Sequence, residues 1–418
     1  MNKHNKDNKD NKNNKNNRYN LIVNANILTY VSDKPIIKNL ENNSNLIKLR
    51  NYSILFNDNE IIDIGTYKEL KEKYNLRLVD IDNIIDVNNY WVFPGLIDCH
   101  THLLFAGSRI DEFILRQKGY SYQDIAKSGG GIKYTVNQTT NESLQNLKKL
   151  LIHRLQLLKN YQTKIVEIKN GYAIDLDKEL EHLKLIKEVS KQLNIIIIPT
   201  FLAHIPDDNF EYYLKKLSDN ASKIRELTDY FDIFVDKTAF NLNQTLKILE
   251  ILKDYNFRFR FHVNEFQDDG FIDKAVELFN DYNIVSFDHL LVLTDRNIEN
   301  LRRMNERRSV FGVIMPSTSW FLAKNYANAK LLQENGIPIC LATDYNAGSS
   351  NALSLQFVSN LAAIYLKLDI DDIFAYLTIN PAFLLNLKAG QIRKGFLPIF
   401  SFINFKDYRE FFFSLTTL

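Results

Sequence analysis

The segment Pro94–His102, PGLIDCHTH, is an apolar run that ends in His-x-His. Successive side chains of an extended chain point to opposite faces, so His100 and His102 share a face and Thr101 points away. Two imidazoles on one face suit a metal such as zinc and fill half of a four-coordinate site, so further ligands must come from elsewhere. Alone, the pair also fits two unrelated strand histidines. His262 closes the run Phe257–His262 (FRFRFH), and Asp344 closes Ile339–Asp344 (ICLATD). Three imidazoles and one carboxylate bind zinc or iron and still admit a water, whose pKa the metal lowers toward neutrality. Each residue has a plainer reading, His262 as a satisfied core histidine and Asp344 as the N-cap of a helix beginning near Ser349.

Other residues could act beside such a site. Glu265, three positions after His262, could accept a hydrogen bond from a substrate N–H or shuttle a proton, or be a solvated loop acid. Arg109, seven positions after His102, could hold a substrate carboxylate in a bidentate pair, or form an ion pair with Asp111 or Glu112. Gly129-Gly130-Gly131 lacks the following Gly-Lys-Ser/Thr of a phosphate loop and reads as a flexible rim loop.

The elements that must position these groups follow from hydrophobic patterning. Residues 19 to about 86 are strand-rich, with β-type runs at Leu21–Val23, Tyr52–Phe56 and Ile61–Gly65 and a turn at Asn57–Asn59. Eight further runs follow, at 96–102, 164–168, 195–200, 231–235, 258–262, 285–288, 310–315 and 339–342. Amphipathic segments such as Glu142–Asn160, Leu176–Leu193, Leu242–Tyr255 and Asp295–Asn305 separate them, the rhythm of parallel strands joined by helical crossovers. The fold class is therefore α/β, a closed (β/α)8 TIM-like barrel with a small β-rich domain built from flanking segments. An open doubly wound sheet is the rival, but no GxGxxG follows any strand. Barrel chemistry sits where strands end. Five of the eight histidines, His100, His102, His204, His262 and His289, fall at such ends, whereas His4, His153 and His182 do not.

This reading divides the chain into a disordered Asn/Lys-rich tail (1–18), the first part of the small domain (19–90), the barrel (91–388) and an incomplete last part of the small domain (389–418). A formal net charge of +2 offers no general field for nucleic acid or an anionic membrane. Cys99 and Cys340 form no CxxC pair, so no disulfide framework is signalled. With no signal-peptide core and no apolar stretch of about 18 residues, a reducing, cytoplasmic setting is the simplest reading.

Together these residues resemble the amidohydrolase superfamily and, within it, the imidazolonepropionases, which open the ring of 4-imidazolone-5-propionate in histidine degradation. The resemblance rests on Pro94–Arg109 (PGLIDCHTHLLFAGSR), Ser128–Ile132 (SGGGI), Val166–Tyr172 (VEIKNGY), His262–Phe266 (HVNEF), Ser286–Leu291 (SFDHLL) and Leu341–Ser350 (LATDYNAGSS). It implies His100, His102, His262 and Asp344 as ligands of one Zn2+ or Fe2+/Fe3+ per subunit. It also implies that Arg109, Tyr172, His204 and Glu265 contact the substrate, with Asn346, Gly348 and Ser349 beside it. Catalytic roles fall to Asp344, Glu265 and His289, the last similar to a family histidine near the reacting carbonyl. The implied enzyme is a hydrolase of a cyclic amide C–N bond. Water activated at the metal, with help from Asp344 or His289, attacks the ring carbonyl and gives N-formimidoyl-L-glutamate. A homodimer is what the family implies. Lys169 suggests a carbamylated lysine bridging two metals, but binuclear amidohydrolases take that lysine from a later strand, so one metal is expected.

Two departures stand out. The segment Thr200–Pro206 before and after His204 is one residue tighter than the family pattern, and after Gly395 the chain runs into Phe396–Phe400 rather than the usual Lys, then Ala-Asp and an apolar strand. An incomplete small domain would leave an exposed sheet edge. Competing functions are another mononuclear amidohydrolase, such as a nucleobase deaminase, and a catalytically impaired metal-binding relative.

Overall fold

Strand β1 (Tyr19–Tyr30) is longer than its apolar core Leu21–Val23 predicts, because it pairs along its whole length with β2 (Leu46–Phe56), bending at bulges near Ala25. The computed structural model describes residues 19–38, 45–76, 81–120, 124–125, 129–173, 175–206 and 209–415; the expected tail 1–18 lies outside them. Strand β3 (Ile61–Gly65) follows β2, and β4 (Ile81–Asp86) and β5 (Trp91–Pro94) pair in turn with β1. Trp91–Pro94 therefore belongs to the small sheet, which corrects the boundary drawn between residues 90 and 91. Gly95 makes the hinge to the barrel: a Cβ there would lie 2.6 Å from Lys164 Cγ and 2.8 Å from Ile399 Cγ2.

The barrel strands are β6 (Leu96–Asp98), β7 (Thr163–Lys169), β8 (Ile196–Ala203), β9 (Tyr230–Phe234), β10 (Arg258–Val263), β11 (Asn283–His289), β12 (Phe311–Ile314) and β13 (Ile339–Leu341), ordered sequentially in one sheet. All neighbouring pairs are parallel. The seam between β6 and β13 is drawn together by Asp98, whose carboxylate accepts Thr343 Oγ1–H (2.6 Å) and Thr343 N–H (3.2 Å). Cys99 and Cys340, on either side of that seam, are free and buried.

Alternation on β10 shows how the barrel sorts its side chains. Phe259 and Phe261 face the helical layer, with the rings of Phe261 and Phe271 4.4 Å apart, while Arg260 and His262 turn inward. The surrounding helices start at side-chain caps that satisfy their first free N–H groups: Ser143 for Leu144–Asn160, and capping boxes at Asn241 and Thr294. The helix Leu355–Tyr365 is capped by Ser354, so Asp344 does not serve as the cap considered for it.

The C-terminal segment covers more than the sequence pattern indicated. Gly395 and Phe396 exchange backbone hydrogen bonds with Ile61 of β3 at one end of the main strand order, and β14 (Phe400–Ile403) pairs antiparallel with β5 and forms the other end. The final helix Arg409–Phe413 packs between the two domains, with Phe411 5.4 Å from Phe93 of β5 and Phe412 6.1 Å from Phe374 of the helix Ile370–Leu377 between ring centroids. Residues 389–415 thus serve both domains. No described helix is long and apolar enough to cross a membrane.

Burial carries one stability consequence. His182 is buried on the helix Leu176–Val189, and burial, with Lys178 nearby, lowers its pKa from 6.5 to about 4. The unfolded chain therefore binds more protons between these values, so this part of the stability is complete above about pH 6.5 and is lost as pH falls toward 4. Replacing His182 with Gln should flatten the acid branch of a melting-temperature profile, by up to roughly 3 kcal/mol. An unchanged acid branch would refute this.

Candidate metal centre and active site

The segments following β6 and β13 zip together at the barrel mouth. Asp344 N–H donates to His100 O (3.0 Å), His102 N–H donates to Tyr345 O (2.9 Å), and Thr101 forms a parallel bridge with Tyr345. Asp344 sits at φ +52°, a left-handed conformation that few non-glycine residues adopt, and this turn aims its carboxylate at the histidines. Asp344 Oδ1 lies 3.4 Å from His102 Nε2 and 3.6 Å from His100 Nε2. His262 Nε2 is 3.4 Å from His102 Nε2. All four side chains are buried.

The protonation pattern suits a cation. His100 Nδ1–H donates to Asp288 Oδ2 (2.6 Å) and His262 Nδ1–H to Asp232 Oδ1 (3.1 Å), which leaves each Nε2 as a lone pair. His100 Nε2 is buried without a hydrogen-bond partner. Burial pushes His100 well below its usual range, and it lowers His262 to about 4 against the pull of Asp232. Burial alone would raise Asp344, but His102, His289 and a 2.6 Å hydrogen bond from Thr318 to Oδ2 hold its carboxyl at about 2. The neutral Nε2 atoms of His100 and His262 and the anionic oxygen of Asp344, converging with His102 on one point, are a donor set for zinc or iron. Two metal-capable groups occur among the described residues, His100/His102/Asp344 and His100/His262/His289; both contain His100, so they describe one locus.

A cavity of about 650 Å³ opens above this locus. His102, His262, Asp344, Arg109, Tyr172, His204, Glu265, His289, Asn346 and Ser349 line it, so nearly every residue expected at the site faces one space. His100 lies beneath, and Gly348 backs Arg109, where an added Cβ would fall 1.7 Å from Nη1. Arg109 forms the ion pair expected with Glu112. Its Nε and Nη2 donate to Glu112 Oε2 (2.9 and 2.6 Å) while the side chain still borders the cavity. Glu112 Oε1 also accepts Gly131 N–H (2.8 Å), which fastens the glycine loop to the arginine. His204 Nδ1–H donates to Gly171 O (3.0 Å), and burial keeps the ring neutral. Burial raises Glu265, whose Oε2 is 3.8 Å from His289 Nε2. Asn346 shapes its loop, accepting the N–H groups of Gly348 (2.8 Å) and Ser349 (2.7 Å).

Sequence reasoning overlooked Asp232, Asp288, Arg260, Glu167 and Thr318. For Glu167 and Arg260 the signal was present as charged residues at every second position of otherwise apolar strands, in Glu167-Ile168-Lys169 and Arg260-Phe261-His262. The ammonium of Lys169 is paired with Glu167 (2.8 Å) and Asp232 (2.7 Å), and these carboxylates keep it charged despite burial.

A (β/α)8 barrel with His-x-His just after its first strand, a histidine on the fifth and an aspartate after the eighth has the architecture of the amidohydrolases, with a donor set that could hold a metal ion. The amidohydrolase family profile matches residues 218–417. Imidazolonepropionase of Thermoanaerobacter pseudethanolicus is 35% identical over 321 residues, covering 74% of this chain and 75% of that one. The imidazolonepropionase of Caldanaerobacter subterraneus subsp. tengcongensis is 31% identical over 387 residues, 90% of this chain and 88% of that one. The chain belongs to the imidazolonepropionase family. Among solved structures, guanine deaminase from C. acetobutylicum superposes with a TM-score of 0.67 at 16% identity over 94% of both chains, a likeness of fold.

Proposed function

We propose that this chain hydrolyses the cyclic amide of 4-imidazolone-5-propionate to N-formimidoyl-L-glutamate, with one zinc or iron ion held by His100, His102, His262 and Asp344. The observation that carries this reading is a single cavity bordered by the four-donor locus and by Arg109. When bound, the metal supplies Lewis-acid polarisation of the ring carbonyl and an acidified water.

The chain's own residues do the rest. Arg109, pre-set by Glu112, pairs with the propionate and fixes the ring's orientation. Tyr172 and Glu265 hydrogen-bond the flat N–H/C=O edge of the ring. Asp344, anionic at neutral pH, takes the proton that water loses on attacking the carbonyl carbon, with His289 beside it in the same cavity. The ring C–N bond then breaks, and that proton returns to the leaving nitrogen.

A nucleobase deaminase is the competing activity, but a neutral purine has no carboxylate to place beside Arg109. The deciding experiment follows imidazolonepropionate loss spectrophotometrically on chelated and then zinc- or iron-reconstituted protein, with guanine and cytosine as comparison substrates. Activity that survives complete metal removal, or faster turnover of guanine, would overturn the proposal.

Gly348→Ala tests the placement of Arg109 without touching its charge. The new methyl would displace the guanidinium, so KM for imidazolonepropionate should rise on the order of tenfold or more, with the fold retained. Unchanged steady-state kinetics would show that Arg109 does not need this position.

A further inference from the structure

Barrel interiors are ordinarily filled by layers of branched aliphatic side chains. Here the layer beneath the metal locus holds Glu167, Lys169, Asp232, Arg260, Ser286 and Asp288, all fully buried. Buried ion pairs are poor stabilisers, because apolar replacements of similar volume are often neutral or better. The layer therefore calls for a reason other than stability.

Its geometry supplies one. Arg260 uses all three guanidinium nitrogens: Nη2 donates to Asp288 Oδ2 (2.7 Å), Nε to Ser286 Oγ (3.0 Å) and Nη1 to the carbonyl of Cys99 (2.7 Å). Ser286 Oγ–H in turn donates to Asp288 Oδ1 (2.6 Å), so both oxygens of Asp288 are held when Oδ2 receives His100 Nδ1–H. Cys99 O belongs to the peptide that leads into His100, so Arg260 grips that ligand by backbone and by side chain. Across the barrel, Lys169 Nζ lies 2.7 Å from Asp232 Oδ2, while Asp232 Oδ1 receives His262 Nδ1–H. Glu167 Oε1 joins the two cations, 2.8 Å from Lys169 and 3.3 Å from Arg260 Nη1, and Oε2 accepts Thr101 N–H (3.3 Å) between the first two ligands. His102 is different, since its Nδ1 has no hydrogen-bond partner.

We propose that Arg260 and Lys169 form one cationic floor that positions two of the three metal-binding imidazoles, acting on His100 through Asp288 and on His262 through Asp232. Both are positioning residues, and the inference rests on the metal-site reading above. A carboxylate on Nδ1 fixes the tautomer and direction of the ring, and the floor fixes the carboxylate. Without it, the carboxylates of Glu167, Asp232 and Asp288 would stand buried with neither Arg260 nor Lys169 beside them.

The test measures metal rather than turnover. Wild type, Arg260→Met, Arg260→Lys and Ser286→Ala are stripped, and Zn2+ affinity is measured by competition with a chromophoric chelator. The visible spectrum of the Co2+-loaded protein and the melting of the metal-free protein are recorded alongside. Arg260→Met should weaken Zn2+ binding roughly 10- to 100-fold and shift the Co2+ bands, with partial rescue in Arg260→Lys. Ser286→Ala, which changes no charge, should weaken binding roughly fivefold at a modest cost in metal-free melting, and it decides alone if Arg260→Met does not fold. Folded variants with wild-type affinity and Co2+ spectrum would overturn the inference while leaving the proposed function standing, provided wild type is metal-loaded and turns over imidazolonepropionate. A wild type that takes up no metal would overturn both.

Discussion

Asp344→Asn should abolish most turnover, lowering kcat by roughly 10²- to 10⁴-fold, while the protein stays folded. The substitution keeps the shape of a side chain that is buried and held at φ +52°. What it removes is the charge. Oδ1 faces His100 and His102 at 3.6 and 3.4 Å, and Oδ2 accepts the Thr318 hydroxyl. An amide in the same place turns either its NH2 group toward the cation locus or its carbonyl oxygen, and in the second case the NH2 meets Thr318, whose hydroxyl can reverse and accept. The fold therefore survives, but no anion remains to balance the metal or to take the water's proton. Circular dichroism and metal content separate misfolding from chemistry. Thr318→Val, which frees Oδ2 but keeps the carboxylate, should cost far less. A metal-loaded Asp344→Asn enzyme within tenfold of wild type would remove Asp344 from the proton-transfer role.

The segments that carry the proposed ligands were legible because each depends on local pattern. An apolar run ending in His100 and His102, and another ending in His262, need only the two-residue period of an extended chain to place their side chains inward. Strand limits were less legible: β6 ends at Asp98, and His100 and His102 lie in the extended segment beyond it, held by Asp344 and Tyr345 rather than by ladder pairing. The partners of the ligands were illegible for a different reason. Asp288 meets His100 across 188 positions, and Asp232 meets His262 across 30, pairings that depend on how the barrel closes. The same holds for Trp91–Pro94, whose apolar run suits either sheet until β14 arrives from the other end of the chain. Arg109 lay between these cases: its ion pair with Glu112 is local, but its place beside Gly348 comes from the eighth strand's loop.

That double setting makes Arg109→Met the second substitution with a large expected effect. Losing one partner of a buried, hydrogen-bonded charge pair costs about 2–5 kcal/mol, which corresponds to roughly a 30- to 5,000-fold fall in kcat/KM for imidazolonepropionate. The loss should be much smaller for a cyclic amide without the carboxylate, since only the anion pairs with the guanidinium. Part of the measured loss would belong to Glu112. Without Arg109 its Oε2 loses that partner and adds a negative charge to a cavity meant for an anion, although Oε1 still accepts Gly131 N–H. The double variant Arg109→Met/Glu112→Gln removes that repulsion, so it should recover part of the activity that Arg109→Met loses. Arg109→Lys should fall between, because an ammonium keeps the charge but cannot span both Glu112 and a carboxylate as the planar fork does. If Arg109→Met keeps kcat/KM within about threefold of wild type for imidazolonepropionate, the propionate is bound elsewhere. Lys133, Lys237 and Lys324, which are near the same cavity, are then the cations to examine.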